Sequence, residues 1–234
     1  MIVCGSQSAY DVHAKMGYDS RKMTVITNGV DLSRFKPCDA ARAGIRNEFG
    51  IASDTKLVGL IGRFDSQKDH PAFVRAAAAI AKADNRVEFL LCGGGVDETN
   101  SQLMSLIAET DVAERFHLLG VRHDIEAVTA ALDLSVSSSS YGEGFSNTML
   151  EALASGVPCV STDVGDAKQI VGNCGLIIPP KDDEALRSAI STMLERTSAD
   201  DKMKRAARAS AEANFGIESM VRHYEEVYRG LVAT

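Results

Sequence analysis

Apolar positions along the chain repeat with two periods. Short, near-continuously apolar runs of strand character occur at "TVIT" (24–27), "KLVGLIG" (56–62), "VEFLLCG" (87–93), "FHLLG" (116–120), "LDLSVSS" (132–138), "PCVST" (158–162) and "GLIIP" (175–179). Most of the gaps from residue 56 onward carry helical spacing. Between residues 62 and 87 the pattern predicts a helix that starts at Pro71, a residue suited to a first turn, and runs through the alanine tract to about Lys82. Leu103, Leu106 and Ile107 mark the next helix, and Ile125, Val128 and Leu132 fall at i, i+3 and i+7 on one face of another. Asp182 is placed to cap a helix whose buried stripe is Leu186, Ile190, Met193 and Leu194. In the last helix Met220, Val221, Tyr224, Val227, Tyr228 and Leu231 share one side. Apolar strands separated by amphipathic helices predict a Rossmann-like, doubly wound α/β domain, its parallel sheet covered on both faces. The first 35 residues fit this repeat poorly: "MIVCGSQS" reads as a strand without a predecessor, followed by a short helix near 8–16 and the turn-forming "NGVDLSRF".

Composition narrows the class. The 234 residues, 45% hydrophobic and 24% charged, describe a chain that buries a real core, neither disordered nor membrane-embedded. A formal charge of −7, from 25 Lys+Arg against 32 Asp+Glu, offers no basic face, so nucleic acid is not an expected partner. The five cysteines include no C-x-x-C pair, and Cys4, Cys92 and Cys159 sit in apolar runs where a thiol acts as a small hydrophobe, which points to a reducing, cytoplasmic setting. No stretch approaches the roughly 20 apolar residues that span a bilayer.

A doubly wound sheet binds ligands beyond the carboxyl ends of its strands, and three loops there carry suitable residues. "GRFDSQKDH" (62–70) sets Arg63 and Lys68 five residues apart beside a helix start, fitting a phosphate or diphosphate; alternatively both are solvated surface cations. "CGGGVDETN" (92–100) has the glycines that close backbone approach to a ligand needs, or is simply a turn, and lacks the G-x-G-x-x-G fingerprint. "SSSSYGEGFSNTMLEALASG" (137–156) has Gly142 and Gly144 around Glu143, Ser146 or Asn147 to cap, and then a helix that contains Glu151. The helix start favours an anion, so the carboxylate of Glu143 is better suited to accept from neutral hydroxyls, as of a sugar. Glu151, four residues past Asn147, lies one turn along the same side and suits a second set of hydroxyls. The combination predicts a ligand with a sugar at each end and phosphate between, a nucleotide sugar. The alternative of two exposed glutamates suits Glu151 poorly, because Met149, Leu150, Leu153 and Ala154 surround it.

With these residues assembled, the chain resembles the donor-binding half of the retaining glycosyltransferases of family 4, which have the two-domain GT-B fold. The resemblance rests on "NGVDLSRFKP", "GRFDSQKDH", "LLGVRHDI", "EGFSNTMLEALASGVPCVSTDVGD", "GLIIPPKD" and "HYEEVYRGL", and above all on the E-x7-E pair Glu143 and Glu151. It implies catalytic roles for Glu143, Arg63 and Lys68: Glu143 meets the donor sugar while Arg63 and Lys68, with Gly62, hold the diphosphate and stabilise it as it leaves. Glu151 would take the ribose hydroxyls, the loop at Gly144, Phe145, Ser146 and Asn147 the phosphate and sugar, and Val121 with Arg122 the base, largely through the backbone. No metal and no cofactor is implied; the nucleotide sugar, UDP-linked by default, is the substrate. The acceptor, a glycan or lipid-linked glycan, would meet an N-terminal domain of which residues 1–35 are the expected remnant. Residues 36–214 would form the donor domain, and 215–234 a helix that crosses back. The complete enzyme is expected in the cytoplasm, with peripheral attachment to the inner membrane face left open, and this chain alone is expected to turn over little. The four-serine run replaces a more usual Pro-Ser, a change expected to be harmless. A nucleotide-sugar epimerase of the same architecture and a non-catalytic nucleotide-binding module remain alternatives.

Overall fold

The computed structural model describes residues 1–199 and 201–232. Two parallel sheets organise it. β1 (Ile2–Cys4) pairs with β2 (Met23–Val25), and α1 (Gln7–Lys15) connects them. After α2 (Asp39–Glu48), strand and helix alternate: β3 (Lys56–Ile61), α3 (His70–Ala83), β4 (Val87–Cys92), α4 (Ser101–Ala108), β5 (Phe116–Leu118), α5 (Ile125–Ala131), β6 (Leu134–Ser137), α6 (Asn147–Ala154), β7 (Cys159–Thr162), α7 (Ala167–Val171), β8 (Gly175–Ile178) and α8 (Asp183–Ala199). Two further helices, α9 (Lys202–Asn214) and α10 (Ile217–Val232), close the described chain. The six later strands are all parallel and lie in the order β5-β4-β3-β6-β7-β8, the predicted doubly wound sheet.

Alternation along the strands feeds two cores, one on each face. Val58, Leu60, Phe89, Leu91 and Val160 point to the side covered by α3, α4 and α8. Leu57, Leu90, Cys92 and Cys159 point to the side covered by α2, α5, α6, α7 and α9. Successive residues alternate between faces, so a strand buried on both sides reads as a continuous apolar run.

Three elements went unpredicted for identifiable reasons. The inner face of α2 is filled by arginine: Arg42 and Arg46 both reach Asp133 at 2.7 Å, and Arg46 is buried, with further bonds to the carbonyls of Ala52, Thr55 and Ala131. The main contribution of α9 is the small pair Ala207 and Ala211, and α7 has only five residues. Other elements differ in detail. α3 begins at His70 rather than Pro71, with Asp69 in the left-handed region (φ 50°) accepting from the Ala72 amide. The apolar stripe of α10 is not buried: Val221, Tyr228 and Leu231 are each about half exposed, because α10 stands beside the small two-stranded sheet and not the large one. Among the described residues no helix is long and apolar enough to cross a membrane.

Candidate functional site

The strand order reverses between β3 and β6. The chain proceeds outward from β3 to β4 and β5, then returns to place β6 on the other side of β3. The loops that follow β3 and β6 therefore part around a crevice at the carboxyl edge, the place where open α/β sheets bind ligands. Residues 62–70 and 138–146, more than 70 positions apart, are neighbours for this reason.

Hydrogen bonds lace the two loops together, and the serine run supplies most of them. Ser138 Oγ donates to the carbonyls of Lys68 and Asp69 at 2.7 and 3.2 Å. The Ser140 amide donates to Gln67 O, its hydroxyl donates to Ser66 O, and Gln67 Nε2 donates to Gly142 O at 2.9 Å. Tyr141 and Ser66 share a hydroxyl contact of 2.7 Å. At the centre, Lys68 Nζ donates to Glu143 Oε1 at 2.5 Å and Ser139 Oγ donates to the same oxygen at 2.6 Å. Lys68 and Glu143, the predicted phosphate-binding and sugar-binding residues, are thus in direct contact. Arg63 is more open: it reaches Gln67 Oε1 at 3.3 Å and Asp65 at 3.5 Å within its own loop, and its side chain is 63% exposed.

The glycine cluster has a specific task within the protein. Gly93 has φ 149°, and a Cβ there would lie 2.2 Å from the Gly62 carbonyl. The close approach allowed at this position is to the neighbouring loop. The Gly62 amide bonds Cys92 O, Phe64 N bonds Gly94 O, and the Gly93 amide bonds Gly120 O, which ties the segment ending in Val121 and Arg122 to the same edge. Val121 is exposed. The Arg122 guanidinium is already committed, to Asp124 at 2.7 Å and to Glu48 at 2.7 Å, and these partners raise its pKa. As a side chain it anchors the loop, leaving only its backbone for the role the resemblance implies.

On the other flank, α6 begins at Asn147 without a side-chain cap from Ser146, so among the described residues its first-turn amides lack side-chain acceptors. Ser146 is buried and pairs its hydroxyl with Thr148. Phe145 packs into the core against Phe215, at 5.9 Å between ring centroids, and pins the loop. Gly144 is held from below, its carbonyl accepting from the Asp166 amide at 3.0 Å. Glu151 lies further along α6 and lines a cavity of about 120 Å³ with Gly29, Val30, Asp31 and Asn147. Its carboxylate has no hydrogen bond or ion pair among the described residues. Burial pushes its carboxyl up to about 7, offset in part by the positive charge of Arg34. A larger hollow of about 440 Å³ lies on the outer side of the 62–70 loop, lined by Phe64, Asp65, Ser66 and Asp69, and another of about 500 Å³ lies beside Lys56 and Val87 at the amino ends of the strands.

Residues the sequence reading passed over include Ser139, Gln67, Asn28 and Asp166. Asn28 donates to Asn147 Oδ1 at 2.8 Å and brings the "NGVD" turn against the start of α6. Asp166, buried, accepts from the amides of Gln7 and Ser8 at 2.6 and 2.9 Å and so fastens α1 to the site's underside. The serine run and the "NGVD" turn were visible as sequence features; their partners were not.

Phosphate-suited loops and a helix start gather at a strand-order reversal in an α/β domain with the architecture of GT-B glycosyltransferase structures. The family model described as "Glycosyl transferases group 1" matches residues 55–196, and the chain belongs to that family. Among similar curated proteins is the lipopolysaccharide core biosynthesis mannosyltransferase LpsB of Rhizobium meliloti, 32% identical over 89% of this chain and 61% of the relative. Among solved structures, Anabaena HepE in complex with UDP and glucose aligns with a TM-score of 0.88 at 24% identity, over 98% of this chain and 62% of that one. The sucrose-phosphate synthase of Thermosynechococcus elongatus aligns with a TM-score of 0.85 at 26% identity, over 99% of this chain and 58% of that one. The chain therefore spans about three-fifths of the length of these proteins.

Proposed function

We propose that this chain is the donor-binding half of a retaining glycosyltransferase of family 4 and takes a nucleoside diphosphate sugar, UDP-linked by default, into the crevice between the loops after β3 and β6. The observation that carries the reading is the convergence of Lys68 and Glu143 at 2.5 Å beside the uncapped start of α6, with the unpartnered Glu151 further along the same helix. A cation and open amides suit a diphosphate, while two carboxylates on either side suit hydroxyls. The bound UDP of HepE and the activity named for LpsB lend support in kind.

In the proposed complex Lys68 exchanges part of its bond to Glu143 for a phosphate oxygen, and Arg63, free to swing, joins it. Both cations then stabilise negative charge as the diphosphate departs. Glu143 accepts from the transferred sugar and Glu151 from ribose. Transfer with retention to an acceptor hydroxyl belongs to the whole enzyme, in which an acceptor domain would close the crevice and exclude water. Residues 1–35 are read as the remnant of that half and its linker, and 215–234 as the helix that crosses back to it; the separate β1–β2 sheet and the exposed stripe of α10 support this, while Val30, Phe35 and Phe215 pack into the core of the large-sheet domain.

Calorimetric titration with UDP, GDP and ADP tests the reading. One nucleotide is expected to bind, and Glu151→Ala and Arg63→Ala are each expected to weaken it by about 1–3 kcal/mol, the loss typical of a charged hydrogen-bond partner. Unchanged affinity in both variants refutes the site.

A further inference from the structure

We propose that Ser139 is a positioning residue that fixes which oxygen of Glu143 faces the donor sugar, an inference that rests on the donor-site reading above. Glu143 has two carboxylate oxygens with different fates. Oε1 receives both Lys68 Nζ, at 2.5 Å, and Ser139 Oγ, at 2.6 Å, whereas Oε2 takes no partner among the described residues. A carboxylate anchored by two donors on one oxygen presents the other in a fixed direction, ready to accept a hydroxyl.

The anchor is unequal in its two halves. Lys68 has a flexible stem and is the group expected to turn toward phosphate when a ligand arrives, so its bond to Glu143 is the one that loosens on binding. Ser139 stays. It is 1% exposed, it follows the end of β6 by two residues, and its carbonyl accepts from Thr162 Oγ1 at 2.6 Å, which fixes its backbone to β7. The neighbouring Ser138 and Ser140 are bonded to the Lys68 loop, so the whole run is clamped around the carboxylate. Gly142 and Gly144 on either side give Glu143 a loop that would otherwise let the side chain wander; Gly142 has φ 73°.

The prediction separates sugar from nucleotide. Ser139→Ala removes one small hydroxyl, which bonds Glu143 and not Glu151, and leaves Arg63, Lys68 and the α6 amides in place. UDP, GDP and ADP, and the glucose conjugate of each, are titrated into wild type and Ser139→Ala, and the melting temperature of each protein is recorded. The expected result is a roughly tenfold loss of the affinity that the sugar adds over the bare nucleotide, the scale of one hydrogen bond to a charged group, with nucleotide affinity within twofold of wild type. Ser139→Thr, which restores the hydroxyl, is expected to recover part of the loss. An equal loss for nucleotide and conjugate, whatever the melting temperature, assigns Ser139 to general structure and overturns the proposal, as does an unchanged sugar increment. A wild-type chain that binds none of the nucleotides or conjugates overturns the donor-site reading and this inference together, a result distinct from failure of Ser139 alone.

Discussion

Replacing Glu151 with Gln should make the protein more stable at alkaline pH while harming its ligand binding. Glu151 sits among Leu150, Ala152 and the 29–31 turn, and burial raises its carboxyl from 4.5 to about 7. The folded state therefore binds a proton that the unfolded state has released between these two values. With the folded pKa above the unfolded one, an acid is at its most favourable below about pH 4.5; stability is lost as pH rises toward 7, and above 7 the full penalty applies. A rise of about 2.5 pKa units, at 1.36 kcal/mol each, corresponds to about 3 kcal/mol as an upper value. Glutamine keeps the shape and cannot ionise. Urea unfolding followed by circular dichroism at pH 4, 6 and 8 should find Glu151→Gln matching wild type at pH 4 and exceeding it by up to about 3 kcal/mol at pH 8. A difference independent of pH, or a wild type more stable at pH 8, refutes the reasoning. The carboxylate that costs stability is the one proposed to accept ribose hydroxyls, so the stabilised variant should bind nucleotide less well, a trade common at functional sites.

Two other perturbations probe how the site is supported. Asp133→Ala removes the acceptor shared by Arg42, Arg46 and the Leu57 amide, leaves Arg46 charged and buried, and should cost about 3–5 kcal/mol in the same urea assay. A loss below about 1 kcal/mol would mean that the carbonyls around Arg46 suffice alone. Asp166→Ala strips the acceptor from the Gln7 and Ser8 amides and should weaken α1 locally by about 1 kcal/mol, the worth of a helix cap. Hydrogen exchange should quicken in residues 7–15 and stay unchanged in β3, β4 and β6; uniform quickening speaks against a local clamp.

Much of the α/β domain could be read from the chain because its central strands are buried on both faces and most of the covering helices show one apolar face. Those patterns are local, and they fixed the α/β class, seven of the eight strands by run and the eighth from the "MIVCGSQS" opening, and most helices. The same locality explains the misses. α2 buries arginine instead of leucine, and its partner Asp133 lies far along the chain, so no window of sequence reveals that the charge is satisfied. The stripe of α10 announces a partner face without saying which.

For the site, residue type and spacing were enough to single out Arg63, Lys68, Glu143 and Glu151, since cations beside a helix start and a carboxylate in a glycine loop are unusual enough to need a reason. Only the tertiary structure decided that two of them, Lys68 and Glu143, meet. Strand order is set by nonlocal pairing, and the placement of β6 beside β3 is what brings a loop at 62–70 within bonding distance of a loop at 138–146. The finer division of labour also depends on three dimensions: which oxygen of Glu143 is held and which is open, that Arg122 is tied to Glu48 and Asp124, and that Gly93 makes room for a carbonyl of its own chain. Hydrogen bonds and close contacts between segments distant in sequence leave no periodic trace, whereas burial of a strand or a helix face repeats every two or every three to four residues and can be read directly.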